Sequence, residues 1–193
     1  MDINKAIKKQ HSSYKRFMLI MCFIFFALPV IMFLAQKINI FFIAYLFIIE
    51  LLIICAIIIR MDTEKLDYDI KSGRLKITQG LKKRQYNIFW EKVAYVHAKK
   101  NEEKKNIDIV ILTTTKSRNK HIRPVSKEFL KRNAQVSYEY NKLKTINPEE
   151  NYYYMIISRG GNIKYKLLTD IYKVCVKAKY SKEAIEVMKA CKQ

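Results

Sequence analysis

Two apolar stretches stand almost end to end near the start of this chain, and they constrain its fold more than any other feature. Residues 17–35 carry no charged side chain, and residues 38–59 carry one, Glu50. A bilayer core of about 30 Å takes ~20 apolar residues of helix, and both stretches reach that length. Only Gln36 and Lys37 lie between them, so the expectation is a tight antiparallel helical hairpin that crosses a membrane twice. A cleaved signal peptide fits the first stretch poorly. Phe33-Leu34-Ala35 puts a bulky ring where a cleavage site needs a small side chain, and a second apolar stretch follows at once.

The flanks set an orientation. Lys5, Lys8, Lys9, Lys15 and Arg16 precede the first stretch and Arg60 closes the second, while the connection offers only Lys37. By the positive-inside rule both termini face the cytoplasm. Residues 1–16 are then a basic cytoplasmic arm, 17–60 the transmembrane hairpin, and 61–193 a cytoplasmic domain. Within the arm, Ile3, Ile7, Gln10 and Tyr14 recur near helical spacing. That pattern suits either an amphipathic stretch lying on the inner leaflet or a frayed, charged tail that only sets topology. Pro29 is expected to kink the first helix. Glu50 falls near the middle of the second, where an ionised carboxylate is costly. Hairpin geometry sets it opposite residues 22–24, which supply no cation. Glu50 is therefore a candidate intramembrane contact, in a homo-oligomer or with a membrane protein partner; the plainer alternative is a tolerated neutral carboxyl.

Beyond the hairpin the pattern changes. Residues 61–65 leave a linker of about five residues, under ~20 Å at full stretch. From Leu66 the apolar period becomes two: Leu66, Tyr68 and Ile70, then Leu75 and Ile77 after a Ser72-Gly73 turn, then Tyr86, Ile88 and Trp90 after Gly80. Val93, Tyr95 and His97 follow, and Ile107, Ile109, Ile111 and Thr113 form one face of a further strand. A polar turn is expected at 114–120 and a short strand at 121–125. Ser126 can cap a helix, and Asn147-Pro148 marks a turn. Residues 152–158 read as a strand and Gly160-Gly161-Asn162 as a hairpin turn. Ile163, Tyr165 and Leu167, then Tyr172, Val174, Val176 and Ala178, alternate with polar residues and predict two more strands. Ser181 then caps a final helix over 181–192, which must close over the sheet. The fold class expected is α+β: the helical hairpin, an antiparallel bent sheet, and a C-terminal helix.

Tyr68-x-Ile70, Leu75-x-Ile77 with Gly80, Ile88-x-Trp90 with Val93 and Val96, Ile107-x-Ile109-x-Ile111-x-Thr113, and Arg123-Pro124 resemble the bacterial pleckstrin-homology-like (bPH) membrane proteins. The likeness covers about residues 15–125 and the helix at 181–192. It implies two spans before a strongly bent, PH-like β-barrel with a C-terminal capping helix. The chain departs from that pattern at 126–150, an extra helical or loop segment. The family has no catalytic residue set, so the resemblance implies none.

Catalytic and metal-binding patterns are not found. There is no glycine-rich phosphate loop, no Cys or His pair at zinc spacing and no serine nucleophile motif, so neither enzyme activity nor a cofactor or metal is expected. Cys22, Cys55, Cys175 and Cys191 have no ligand spacing, and disulfides are not expected in a reducing cytosol. His11, His97 and His121 are scattered; His97 reads as structural. Asp108 reads as an outward or paired acid.

What remains is charge. The chain holds 37 Lys+Arg against 17 Asp+Glu, a net of +20. Residues 61–193 carry +15 of this. With 29 Lys but 8 Arg, and 28 Ile, part of the excess is what an AT-rich genome would give. The other part forms patterns. Lys82, Lys83 and Arg84 make a short basic run. On the two late strands, Lys164, Lys166, Lys173 and Lys177 fall opposite the apolar residues and would share an outer face. Beside anionic lipid, each such residue contributes ~1 kcal/mol. These seven are the candidate lipid-facing residues. Nucleic acid, the other acidic partner, is disfavoured by the membrane tether and the lack of a stacking motif. The expected function is a non-enzymatic, membrane-anchored cytoplasmic module that binds anionic lipid headgroups or a membrane protein partner. The alternative is a small immunity or stress-protection protein against a membrane-active toxin; a regulatory subunit that relays a signal through Glu50 is a third class.

Overall fold

The computed structural model describes residues 2–36, 39–101, 106–116 and 121–192. Lys37, residues 102–105 and most of the polar turn expected at 114–120 lie outside these. Two long helices open the chain. Helix α1, Ile3–Leu34, starts at Asp2, whose carboxylate accepts from Asn4 N–H (3.1 Å) and Lys5 N–H (3.2 Å). Helix α2, Ile40–Glu64, runs back along it. Both are long and apolar enough to cross a membrane. They touch along one side of each. On α1 the half-buried positions Tyr14, Met18, Met21, Phe25, Leu28 and Met32 alternate spacings of four and three, a heptad-like seam. On α2 the corresponding side holds Leu46, Ile49, Glu50, Ile53 and Ile57, with Ile53 the one buried residue.

Two expectations for this region need correction. The arm is not a frayed tail: residues 3–16 belong to the same continuous helix as the first apolar run, and the side bearing Ile3, Ile7, Gln10 and Tyr14 is half-buried. The 61–65 linker does not exist either. Helix α2 continues to Glu64, past the apolar end at Ile59, and strand β1 begins at Leu66.

The β domain holds two sheets. Strands β1 (Leu66–Lys71), β2 (Arg74–Gln79) and β3 (Arg84–Phe89) form an antiparallel meander. Ser72 and Gly73 both have positive φ (50° and 78°), the geometry of a tight two-residue hairpin turn. A short 3-10 turn at Trp90–Lys92 leads into β4 (Val93–Asn101) and β5 (Asn106–Thr113). The second sheet has the order β6-β7-β5-β4-β8, with β6 Arg123–Pro124, β7 Tyr153–Ile157 and β8 Lys179–Tyr180. Its pairs are antiparallel except β4 with β8, which is parallel.

Strand β5 is buried on both faces, and this organises the layers. Ile107, Ile109 and Ile111 join Leu75, Ile77 and Ile88 of the first sheet in the main core. Val110 and Leu112 face the other way, into a smaller core with Phe129, Val136 and Leu143. The segment at 126–150 supplies that second cover: α3 (Lys127–Arg132), capped by Ser126, and α4 (Ala134–Ile146). Phe129 stacks on Tyr154 with ring centres 3.7 Å apart.

The two strands expected after Gly161 are a correction. Residues Ile163–Val174 form helix α5. Leu167, Leu168, Ile171 and Cys175 are buried at helical spacing, whereas Tyr172 and Val176, assigned inward by an alternating pattern, are 50% and 82% exposed. Alternation and helical periodicity coexist in this segment, and the stronger apolar face is the helical one. The final helix α6, Lys182–Lys192, starts at Ser181, which accepts from Ala184 N–H (3.1 Å) and lends Ala184 and Met188 to the main core.

Candidate functional site

The end of α2 is where the hairpin, the arm and the β domain meet. A helix C-terminus leaves carbonyls without intrahelical donors. Here two loops supply them. Gly160 N–H donates to Thr63 O and Gly80 N–H to Lys65 O, both at 2.9 Å. Gly80 (φ +72°) and Gly160 (φ +103°) are in conformations that side chains resist. A Cβ at Gly160 would also run into Leu66, and one at Gly80 into Arg159 and Asp62.

Side chains complete the junction. Asp62 accepts from Leu81 N–H (2.9 Å) and pairs with Arg159. Glu64 pairs with Arg60 (2.8 Å) and accepts from the Gln10 amide. The other end of that amide accepts from Asn162 N–H at 2.6 Å, and the Asn162 side chain donates to Ala6 O at 3.2 Å. Gly161 leaves room for Gln10, since a Cβ there would collide with its amide. The arm is thus bonded to the loop that starts α5, and that loop is bonded to α2.

Around this junction lies a cleft of about 350 Å³. Its walls are His11 and Tyr14 of the arm, Met61 of α2, Lys65 just after it, and Leu81 of the β2–β3 turn.

The seven basic candidates separate. Lys82 and Lys83 are exposed in a turn that Leu81 and Gly80 pin to the end of α2, and Arg84, half-exposed, opens β3. Lys83 adopts a positive φ of 43°, a conformation that costs a non-glycine residue ~1–2 kcal/mol. Lys164 is corrected outright: it is 1% exposed, bonded to Asp108 (3.4 Å) and to Ser158 O (3.2 Å). Asp108 is a paired acid, in keeping with one of its two expected roles. Lys166, Lys173 and Lys177 are exposed, and none of them lines the cleft beside the basic turn. Lys166 and Lys173 line a hollow beside Asp2 and Asn4, the start of α1. That is about 20 Å of helix from Phe17, where the apolar run begins. Lys177 follows the end of α5, and Lys173 pairs with Asp170. The common outer face assumed strands; a helix points its lysines elsewhere. Glu50 sits on the half-buried side of α2, with no ion pair among the described residues.

A second polar cluster lies at the far edge of the sheet. His97 is buried, and its Nδ1 lies 3.7 Å from Glu183 Oε2, with no hydrogen-bond partner among the described residues. Burial pushes the imidazole below its ordinary value, and Glu183 only partly offsets this. Tyr95 stacks on His97 and is pushed up to about 12, first by burial and then by Glu139 and Glu183. Glu183 is lowered by backbone hydrogen bonding at the start of α6 and accepts from Gln135. Among the described residues, no three His, Cys, Asp or Glu side chains form a metal-holding group.

Sequence reasoning missed the junction residues Asp62, Arg159 and Gly160. A visible signal was Gln10, a polar amide inside an apolar helical stripe. No family model matches the chain, and neither a curated protein nor a solved structure matches it.

Proposed function

We propose that this chain is a non-enzymatic, two-span membrane protein with both termini on the cytoplasmic side. Its pleckstrin-homology-like domain presents a basic turn to anionic lipid headgroups. The observation that carries this reading is the position of Lys82 and Lys83: both are exposed, in a turn bonded to the last turn of α2. Five residues separate the apolar end at Ile59 from Lys65, so a bilayer around the hairpin has its headgroups beside that turn. Lys15 and Arg16 stand at the same level on α1, both exposed. Each basic side chain so placed contributes ~1 kcal/mol of attraction to an anionic surface.

The test uses the full chain in lipid nanodiscs and reads amide hydrogen exchange across residues 80–84. Exchange is expected to slow when anionic lipid replaces zwitterionic lipid. The effect should disappear at about 1 M salt, where screening acts within ~3 Å, and in the Lys82→Glu/Lys83→Glu variant. Equal protection on neutral discs overturns the reading. Labelling of Cys191 by a membrane-impermeant thiol reagent in intact cells would overturn the orientation.

A further inference from the structure

The junction cleft does not end at the arm. Tyr14 is a wall of the cleft and also of a second, almost wholly apolar groove of about 440 Å³. This groove is an open hollow on the surface of α1 alone, lined also by Lys15, Met18, Leu19 and Cys22. Tyr14, which the two hollows share, stands three residues before the uncharged run that starts at Phe17. A tyrosine at that level is the usual marker of the interface between headgroups and chains. Each hollow has one lysine in its wall, Lys65 in the cleft and Lys15 in the groove. Glu64 is already engaged by Arg60 and Gln10, whereas Lys15 and Lys65 have no ion pair among the described residues. A lysine in each hollow, a tyrosine at the interface and an apolar trough beneath it match the order of parts in one diacyl phospholipid.

We infer that the junction holds a single anionic phospholipid, with its phosphate between Lys15 and Lys65 and one acyl chain along Met18, Leu19 and Cys22. This rests on the lipid-surface reading above and goes beyond it, since it sets one bound molecule apart from the diffuse attraction of the basic turn. The lipid would fill the cleft between arm and turn, and so would add contacts that tie α1 to the β domain.

Native mass spectrometry of the full chain, released from nanodiscs of mixed phosphatidylcholine and phosphatidylglycerol, tests the inference. One phosphatidylglycerol per chain should survive release. Leu19→Trp fills the trough at a position that is 71% exposed in the protein, and Lys65→Glu reverses the charge of the cleft's lysine. Each should lower the retained fraction about fivefold or more, while Lys82→Glu/Lys83→Glu keeps it. Soluble glycerol phosphate should not displace the lipid; displacement would mean an anion site without a chain trough and would overturn the inference. Retention unchanged in both Leu19→Trp and Lys65→Glu overturns it as well. If exchange protection of residues 80–84 persists in that case, the surface reading stands and only the bound lipid fails. Loss of both signals in the unaltered chain removes both.

Discussion

Along α1, residues 14–32 meet α2 through a seam of Met, Phe and Leu, whereas Ala6 and Gln10 meet the β domain through hydrogen bonds. The same helix thus makes two kinds of contact. In lipid the apolar seam gains little from association, because acyl chains are as apolar as the side chains they replace. Its regular spacing also tolerates a slip by one turn. The junction tolerates none: Gln10 must reach both Asn162 and Glu64, and two glycine amides must reach Thr63 and Lys65. Geometry in this molecule is therefore set at the end of the hairpin, and the hairpin's interior follows.

The sharpest way to break this comparison is at the buried cation next to the junction. Asp108→Ala takes a carboxylate from Lys164, which is 1% exposed, and should destabilise the domain by about 3–5 kcal/mol. Lys164→Met should cost much less, since it removes the charge with its burial penalty. Chemical denaturation of the detergent-solubilised chain measures both; equal effects would mean that Asp108 does not hold the lysine in place. Gly160→Val comes next. It forces a side chain into a positive φ and against Leu66, for an expected loss of about 2–4 kcal/mol in the same assay. Gln10→Ala removes two bonds of the arm and should cost about 1–2 kcal/mol. Proteolysis should then cut the arm near residue 10 faster, while the β domain stays intact; unchanged cleavage would show the arm to be held by other contacts.

Two weaker effects sharpen the contrast. His97 titrates below its ordinary value because it is buried, so its neutral form favours the folded state. That contribution is complete above pH ~6.5 and is lost as pH falls through the depressed value. Glu183 is also depressed, and its loss comes at more acidic pH. Thermal midpoints should therefore decline from pH 7 to 5 in the native chain and stay flatter over that range in His97→Leu. A parallel decline in the variant assigns the slope to other groups. The smallest effect is expected in the seam. Glu50→Leu should leave folding unchanged. If Glu50 bonds to a neighbouring helix, worth ~1 kcal/mol, cross-linked dimer should fall in Glu50→Leu and persist in Glu50→Gln. Normal cross-linking in Glu50→Leu makes it a tolerated polar residue.

Legibility in the sequence followed the same division. The hairpin could be read because Glu50 is the one charge in its two runs, and β1 to β5 because turns such as Ser72-Gly73 and Gly80 punctuate a clear alternation. The caps at Ser126 and Ser181 were legible for a local reason: a hydroxyl one residue before a helix has few other uses. Helix α5 was not. Its Ile163, Tyr165 and Leu167 alternate by chance, and only the burial of Leu168 and Ile171 against β5 decides for the helix. The junction was hidden because its partners are distant in sequence: Gln10 with Asn162, and Asp62 with Arg159. Of the basic candidates, the 82–84 run was visible in the sequence as three consecutive basic residues, a cluster that does not depend on which face a strand or helix presents. The late lysines could not be placed, because their faces depended on α5.

Only Lys65 lies between the end of α2 and the start of β1, and its carbonyl is tied to Gly80. A shaft joined to its head without a hinge carries every rotation across. Apolar helices adjust their lean to the thickness of the bilayer around them. For a hairpin seated in lipid, a thicker or thinner sheet of lipid thus becomes a different attitude of the β domain, and a ruler at one end becomes a compass needle at the other.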